Sequence, residues 1–389
     1  MSQHDLERIK AKIEVQPEVP ETIRRCSKCL LPETFPHIHF DENGVCNYCN
    51  SYNKTELKGE EALQQLVAPY RKNTGEADCI VGFSGGRDSS YALHVAKKVL
   101  GLQPIAFTYD WGMVTDLAVR NAKRMCDQLG IEHRVIYADI DKKRDNIRRN
   151  ILAWMKNPDV GMVPLFTAGD KQMFKYVIDL QKETGIDLVL AGANPLEKTD
   201  FKVGFCGVEN NDSKGGALLT SVSGHNKMMI AKYYASQYLK NPSYINRSVP
   251  DTISSFYCTY VLKDVTVNIF DYLPWKEENI TLLREKYGWE IANDTTTTWR
   301  IGDGTAAFYN YIFYTVAGFS EFETFRSNQI REGMITREEG LRLIREENKP
   351  RVESMMWYAD TIGFDLDEAL DVIHSMPKLW ARSTKIKVN

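Results

Sequence analysis

The stretch Asp78-Cys-Ile-Val-Gly-Phe-Ser-Gly-Gly-Arg-Asp-Ser-Ser90 constrains the fold more than any other. A short apolar run, β-branched at its centre, breaks at Gly85 and Gly86; Ala92, Val95, Ala96 and Val99 then recur at the spacing of one helical face. The pattern predicts strand, tight turn, helix. Glycines lack Cβ atoms, so the turn can aim several N–H groups at one point before the helix N-terminus, where an anion is held. Ser84, Ser89 and Ser90 add hydroxyl donors and Arg87 a guanidinium. Asp88 would repel a bare polyphosphate, so its presence implies a bridging divalent cation such as Mg2+. This is read as a nucleotide site, against the plainer reading of a glycine turn with no ligand.

The wording Ser84-Gly85-Gly86-Arg87-Asp88-Ser89 resembles the PP-loop of the ATP pyrophosphatases, which split ATP between its α and β phosphates. The resemblance implies ATP as a ligand and catalytic roles for Ser84, Asp88 and Ser89. The Lys-Ser/Thr pair that ends a Walker loop is absent, so kinase and GTPase readings fall away.

A chain of 389 residues, 43% apolar and 26% charged, has room for two or three domains with full cores. A net charge of −3 gives no general attraction to nucleic acid, and no nucleic-acid partner is expected. No apolar run approaches the roughly twenty residues of a membrane span, and Met1-Ser-Gln-His-Asp-Leu-Glu-Arg8 lacks the apolar core of a signal peptide. A cytoplasmic protein without a membrane partner is expected. Cys79, Cys126, Cys206 and Cys258 stand singly, which makes no disulfide framework.

The other four cysteines are paired as Cys26-Ser-Lys-Cys29 and Cys46-Asn-Tyr-Cys49, with the turn Asp41-Glu-Asn-Gly44 between the pairs. Each C-x2-C turn presents two thiolates to one ion, and two turns complete the closed tetrahedron of structural Zn2+. Four ordinary cysteines and an iron–sulfur cluster are the alternative readings. His37 and His39 then fall outside a shell already complete. The stretch from Cys26 to Cys49 resembles the N-terminal zinc segment of the N-acetyl sugar amidotransferases, bacterial PP-loop proteins of surface-polysaccharide and nonulosonic-acid synthesis; so does Gly318-Phe with Thr324 to Glu339.

Further strands are predicted at Pro104–Tyr109, His133–Tyr137 and Asp187–Ala191, with a helix over Leu117–Leu129. Alternating strand and helix predicts an α/β fold: a parallel-sheet PP-loop domain with an N-terminal zinc-ribbon-like segment and a helical C-terminal region. The expected divisions are 1–55, 56–265 and 266–389. Ligands of such sheets lie beyond the carboxyl ends of the strands, which selects the Ser84–Ser90 loop, Asp110 and Trp111, Asp139, and Gly192 to Asn194. The PP-loop resemblance places adenine near Thr108 and Asp110, with Gly192 and Asn194 also on the ATP side. Residues 1–20 read as a frayed helix and tether, 141–185 as a helical insertion, and 195–227 as a polar lid or substrate loop. In that loop Lys198, Lys214 and His225 are candidate anion holders, and Cys206 reads as an inert thiol. Arg300, Asp303 and Arg326, with Ser327 and Asn328, are expected in turns near the site. The Tyr-rich run Ala307–Tyr314 is expected in the core.

The amidotransferase resemblance implies a reaction: ATP adenylates the oxygen of an N-acetyl group on an acidic amino sugar, free or nucleotide-linked, and ammonia displaces AMP to leave an acetamidino group. Ser2 stands where an N-terminal-nucleophile glutaminase needs cysteine, and no cysteine has the setting of a triad nucleophile. A separate glutaminase subunit is therefore expected. The rival readings are a tRNA thiolation enzyme and a non-catalytic zinc-ribbon protein that senses nucleotide.

Overall fold

The computed structural model describes residues 3–16, 18–167, 169–199, 201–209, 223–262 and 266–383. Five strands form one parallel sheet: β1 (Cys79–Gly82), β2 (Pro104–Asp110), β3 (Glu132–Tyr137), β4 (Val189–Ala191) and β5 (Val267–Asn268), in the order β3-β2-β1-β4-β5. β1 is central, with Val81 level with Ala106 of β2 and Leu190 of β4. β1 and β4 are buried throughout or nearly so, which matches their unbroken apolar sequences, because parallel sheets are covered on both faces. Chain order reverses at β1, so the crevice between the carboxyl ends of β1 and β4 is the switch point where such sheets take ligands.

Four of these strands are the ones expected; β5 is an addition. Two residues carry no periodicity, and Val267 joins the sheet only because Leu190 offers it an open edge. The helix predicted from Leu117 runs over Asp116–Leu129, with the Thr115 hydroxyl accepting the Ala118 N–H as its cap and Gly130 ending it at φ 61°. The helices opened by Thr336 and Asp365 also start where their caps stand.

The N-terminal helix is present as expected, but it is docked on the protein where a frayed one was expected. Gln3–Glu14 is a helix that buries Leu6 and Ile9. Its Lys12 reaches Asp367 at 2.6 Å and Asp371 at 2.7 Å on the Leu366–Ser375 helix. The four paired cysteines, Ile80 and Phe107 of the sheet, and Phe308 and Ile312 of the Ala306–Ala317 helix belong to one apolar core. Among the described residues, no helix is long and apolar enough to cross a membrane.

Arg326 is not in a turn near the site. It lies in the Glu321–Glu332 helix, 6% exposed, with Nε and Nη2 donating to the two oxygens of Glu347 at 3.0 and 2.5 Å. Glu347 is itself 3% exposed, so removing its partner leaves a buried charge unpaired. Arg326→Ala should therefore cost about 3–5 kcal/mol in chemical denaturation. The double change Arg326→Leu/Glu347→Leu should cost clearly less, because neither charge is then stranded.

Candidate active site

The loop after β1 is shaped by one severe contact. Gly85 has φ 72°, and a Cβ there would lie 2.1 Å from the carbonyl oxygen of Ala118 at the start of the next helix. Only glycine fits on both counts. The Gly85 carbonyl also accepts from Trp289 Nε1 at 3.1 Å. Thus held, the loop brings the Ser84 and Ser89 hydroxyls to 3.0 Å from each other, with Ser89 Oγ accepting the Ser84 N–H at 3.1 Å. Asp88 stands beside them at the first turn of the Arg87–His94 helix. Its Oδ1 accepts from Trp275 Nε1 at 2.5 Å and from Asn194 Nδ2 at 3.3 Å.

The Arg87 side chain is largely engaged within the protein. The guanidinium carbon lies 3.2 Å from the centre of the Trp299 ring and 4.6 Å from that of Trp275, and the residue is only 4% exposed. Nη1 donates to Thr298 Oγ1 at 3.0 Å, and Nη2 sits 3.6 Å from Glu197. Cation–π contact and these partners make Arg87 a brace for the loop.

Ser84, Gly86, Asp88, Ser89, Thr108 and Asn194 all face one cavity of about 1530 Å³, which Arg87 and Gly192 also border. The Thr108 hydroxyl donates to the Phe83 carbonyl at 2.5 Å and meets His133 Nε2 at 2.8 Å. Four of the residues selected from the loop and the strand ends do not line the cavity: Gly85, Ser90, Asp110 and Asp139. Gly85 packs on Ala118 instead; Ser90 is wholly buried in the helix; Asp110 turns its carboxylate back onto the Gly112 N–H at 2.8 Å, closing the turn after β2. Trp111 is buried with one edge on the cavity. Asp139 caps the Ile140–Lys156 helix through the Lys142 N–H.

Linked to the loop through Glu197, which stands 3.6 Å from Arg87, is a group of charges that sequence reasoning missed in part. Glu197, three residues after Asn194, pairs with Arg300 Nη1 at 3.0 Å. Glu321, fully buried, accepts from Lys202 Nζ at 2.6 Å and the Tyr309 hydroxyl at 2.8 Å, with Arg300 Nε at 3.6 Å. Burial pushes Glu197 up to about 7 against the pull of Arg300. Burial would raise Glu321 too, but Lys202 and Arg300 hold it down to about 2. Arg300 and Asp303 line the cavity as expected, and Arg300 has a left-handed backbone at φ 55°, a costly state that persists where packing enforces it. Lys198 also lines the cavity, whereas His225 is exposed at a helix start; Lys214 lies outside the described residues. The Tyr-rich run is core as expected except that Tyr309 also reaches the cavity. Rule-based selection of strand ends could have found Glu197; nothing periodic marks Lys202 or Glu321.

The cysteine thiols gather as the spacing predicts. Cys26, Cys29, Cys46 and Cys49 are buried, and their sulfurs lie within 4.8 Å of one another. Cys26 and Cys49 are 3.9 Å apart, Cys29 and Cys46 3.7 Å. A tetrahedral ion with bonds of about 2.3 Å puts its sulfurs about 3.8 Å apart, so the group fits a single Zn2+; a multi-iron cluster would spread the thiolates further. Arg331 donates to Cys29 and Cys49 at 3.3 Å each, offsetting thiolate charge. Replacing Cys29 or Cys49 by serine should reduce bound zinc from one per chain to none by elemental analysis, and lower the thermal midpoint. Gly85→Ala should abolish nucleotide binding while leaving the zinc in place.

Residues 60–152 match the NAD synthase family. An uncharacterised protein of Methanocaldococcus jannaschii is 25% identical over 130 residues, which cover 32% of this chain and 47% of that one. The 7-cyano-7-deazaguanine synthase of Clostridium botulinum is 29% identical over 126 residues, 31% of this chain and 56% of that one. The chain thus spans about half the length of the curated relatives it matches. An NH3-dependent NAD synthetase from Campylobacter jejuni aligns at 15% identity over 52% of this chain and 96% of that one, with a TM-score of 0.27, too low to carry an argument. Loop motif, sheet order and sequence matches together support placing the chain in the PP-loop ATP pyrophosphatase superfamily.

Proposed function

We propose that the protein is an ATP-dependent, AMP-forming amidotransferase that converts the acetamido group of an acidic amino sugar into an acetamidino group, using ammonia from a separate glutaminase. The observation that carries this reading is the shared cavity, which Ser84, Asp88 and Ser89 line together with Lys202 and Arg300. Its volume of about 1530 Å³ exceeds the roughly 300–1,000 Å³ of single-ligand pockets, which leaves room for ATP and a second substrate together.

In this reading the loop's N–H and hydroxyl groups hold the departing pyrophosphate, and Asp88 would hold a Mg2+ ion that neutralises charge on it. The acetamido oxygen attacks the α-phosphorus, the bond to the bridging oxygen breaks, and pyrophosphate leaves. Ammonia then attacks the activated carbon, and AMP departs with the former acetamido oxygen. The nitrogen must shed a proton. Glu197, with a carboxyl poised near neutral pH on the cavity wall, is placed to accept it. Lys202 and Arg300 are natural partners for the sugar's carboxylate or phosphate.

Cysteine chemistry speaks against the sulfur-transfer alternative. Cys206 borders the cavity, but burial pushes its thiol up to about 12, and Cys126 is likewise raised to about 12. Thiols so raised are poor nucleophiles at neutral pH. No described cysteine is suited to glutamine hydrolysis either: all eight are buried, and four of them gather in one cluster.

With ATP, Mg2+ and an N-acetylated acidic sugar, the products should be AMP and pyrophosphate; ADP and phosphate would refute the reading. Asp88→Ala or Ser89→Ala should slow pyrophosphate release by roughly 10²-fold or more. Amidine should form with ammonium and not with glutamine until the glutaminase is added. At fixed total ammonium the rate should climb with pH toward the ammonium pKa, because only the neutral amine carries a lone pair. Glutamine turnover by the protein alone, or transfer of sulfur to tRNA, would contradict the assignment.

A further inference from the structure

The cysteine centre and the PP-loop are joined by an unbroken line of hydrogen bonds. Arg331 places Nε on Cys49 Sγ and Nη2 on Cys29 Sγ, both at 3.3 Å, and turns Nη1 to Asn328 Oδ1 at 2.7 Å. Asn328 Nδ2 donates to the Leu196 carbonyl at 2.8 Å. The Leu196 N–H donates to Asn194 Oδ1 at 3.0 Å, and Asn194 Nδ2 donates to Asp88 Oδ1 at 3.3 Å. The orientation of both amides follows from chemistry. Arg331 has only donors, so it must meet the oxygen of Asn328; the Leu196 N–H must meet the oxygen of Asn194. Every donor therefore points the same way, from the guanidinium toward the carboxylate.

The line runs along the cavity wall, which Arg331, Asn328 and Asn194 border, yet each of these is more than nine-tenths buried. Arg331 is 8% exposed, Asn328 6%, Leu196 2% and Asn194 5%. Within each asparagine amide the accepted bond strengthens the donated one; at Leu196 the line passes from one peptide group to its neighbour, so the link there is one of position. The Arg331 guanidinium is itself aimed by the thiolates of Cys29 and Cys49, since its two other edges are spent on them.

We propose that the four-cysteine centre positions Asp88 through Arg331, Asn328, Leu196 and Asn194, so that the metal-bearing segment sets the loop's grip on a cation–nucleotide complex. Arg331 and Asn328 are positioning residues. Asp88 keeps its bond from Trp275 when the line is cut, so nucleotide binding survives; what weakens is the orientation of the carboxylate that would hold Mg2+. The proposal rests on the reading of the loop as an ATP site, and coupling of this type works in both directions.

The test uses the full-length protein, trinitrophenyl-ATP as a fluorescent probe, and titration with Mg2+. Asn328→Asp keeps the shape and the acceptor for Arg331 but sets a carboxylate against the Leu196 carbonyl, and Asn328→Leu removes both bonds. Both variants should retain one zinc per chain by elemental analysis; because Asn328 also borders the cavity, probe binding without Mg2+ is measured for each variant and the Mg2+ effect is read relative to it. The Mg2+ concentration for half-maximal enhancement of binding should rise about five-fold, the worth of one buried hydrogen bond. An unchanged Mg2+ midpoint in Asn328→Asp, with probe binding intact, overturns the proposal. So does loss of zinc accompanying the shift, which would make the effect one of folding. If the unsubstituted protein fails to bind the probe at all, the ATP reading falls, and the proposal with it.

Discussion

The helix that follows the glycine loop lies so close to the end of β4 that no methyl group fits between them. A Cβ on Gly192 would stand 2.5 Å from the Asp88 carbonyl oxygen and 2.9 Å from the Ala92 side chain. Everything at the site depends on that approach. It puts Asn194 within reach of the Asp88 carboxylate and Glu197 within reach of Arg87. A wider gap would separate the loop from the residues after β4 and open the crevice where the ligand edge is made. The second close approach, of Gly85 to Ala118, pins the same loop from its other side. Two glycines thus do the work that packing usually assigns to larger side chains, by permitting backbones to touch.

Charge in the cavity is matched before any ligand arrives. Arg87, Lys202 and Arg300 face Glu197, Glu321 and Asp88, and each cation already has a carboxylate within 4 Å. An entering anion exchanges partners with these groups and adds no bare charge to the protein. That arrangement keeps the buried ions solvated by one another, which matters because an unpaired charge here would cost several kcal/mol.

The strands and the loop were legible because their patterns are local: an apolar run, a pair of glycines, a helical repeat. The cysteine centre was legible for the same reason, since each C-x2-C turn makes half of it. Glu321 and Lys202 were not, because their meeting joins residues 119 apart with no period to mark either. Arg326 misled for the opposite reason. An arginine among Ser327 and Asn328 reads as a site residue, yet it is an internal ion pair whose partner, Glu347, comes from another helix. β5 escaped notice because a two-residue strand has no signature apart from the edge it joins.

The cover over the thiolates has an implication for how the chain is made. Arg331 follows Cys29 by 302 residues. At roughly 5–20 residues per second of synthesis, the ribosome delivers the guanidinium about 15–60 s after the thiolates. The cysteine knuckle therefore spends that interval without its arginine lid, and the Glu321–Glu332 helix closes over it only after all five strands of the sheet have been made.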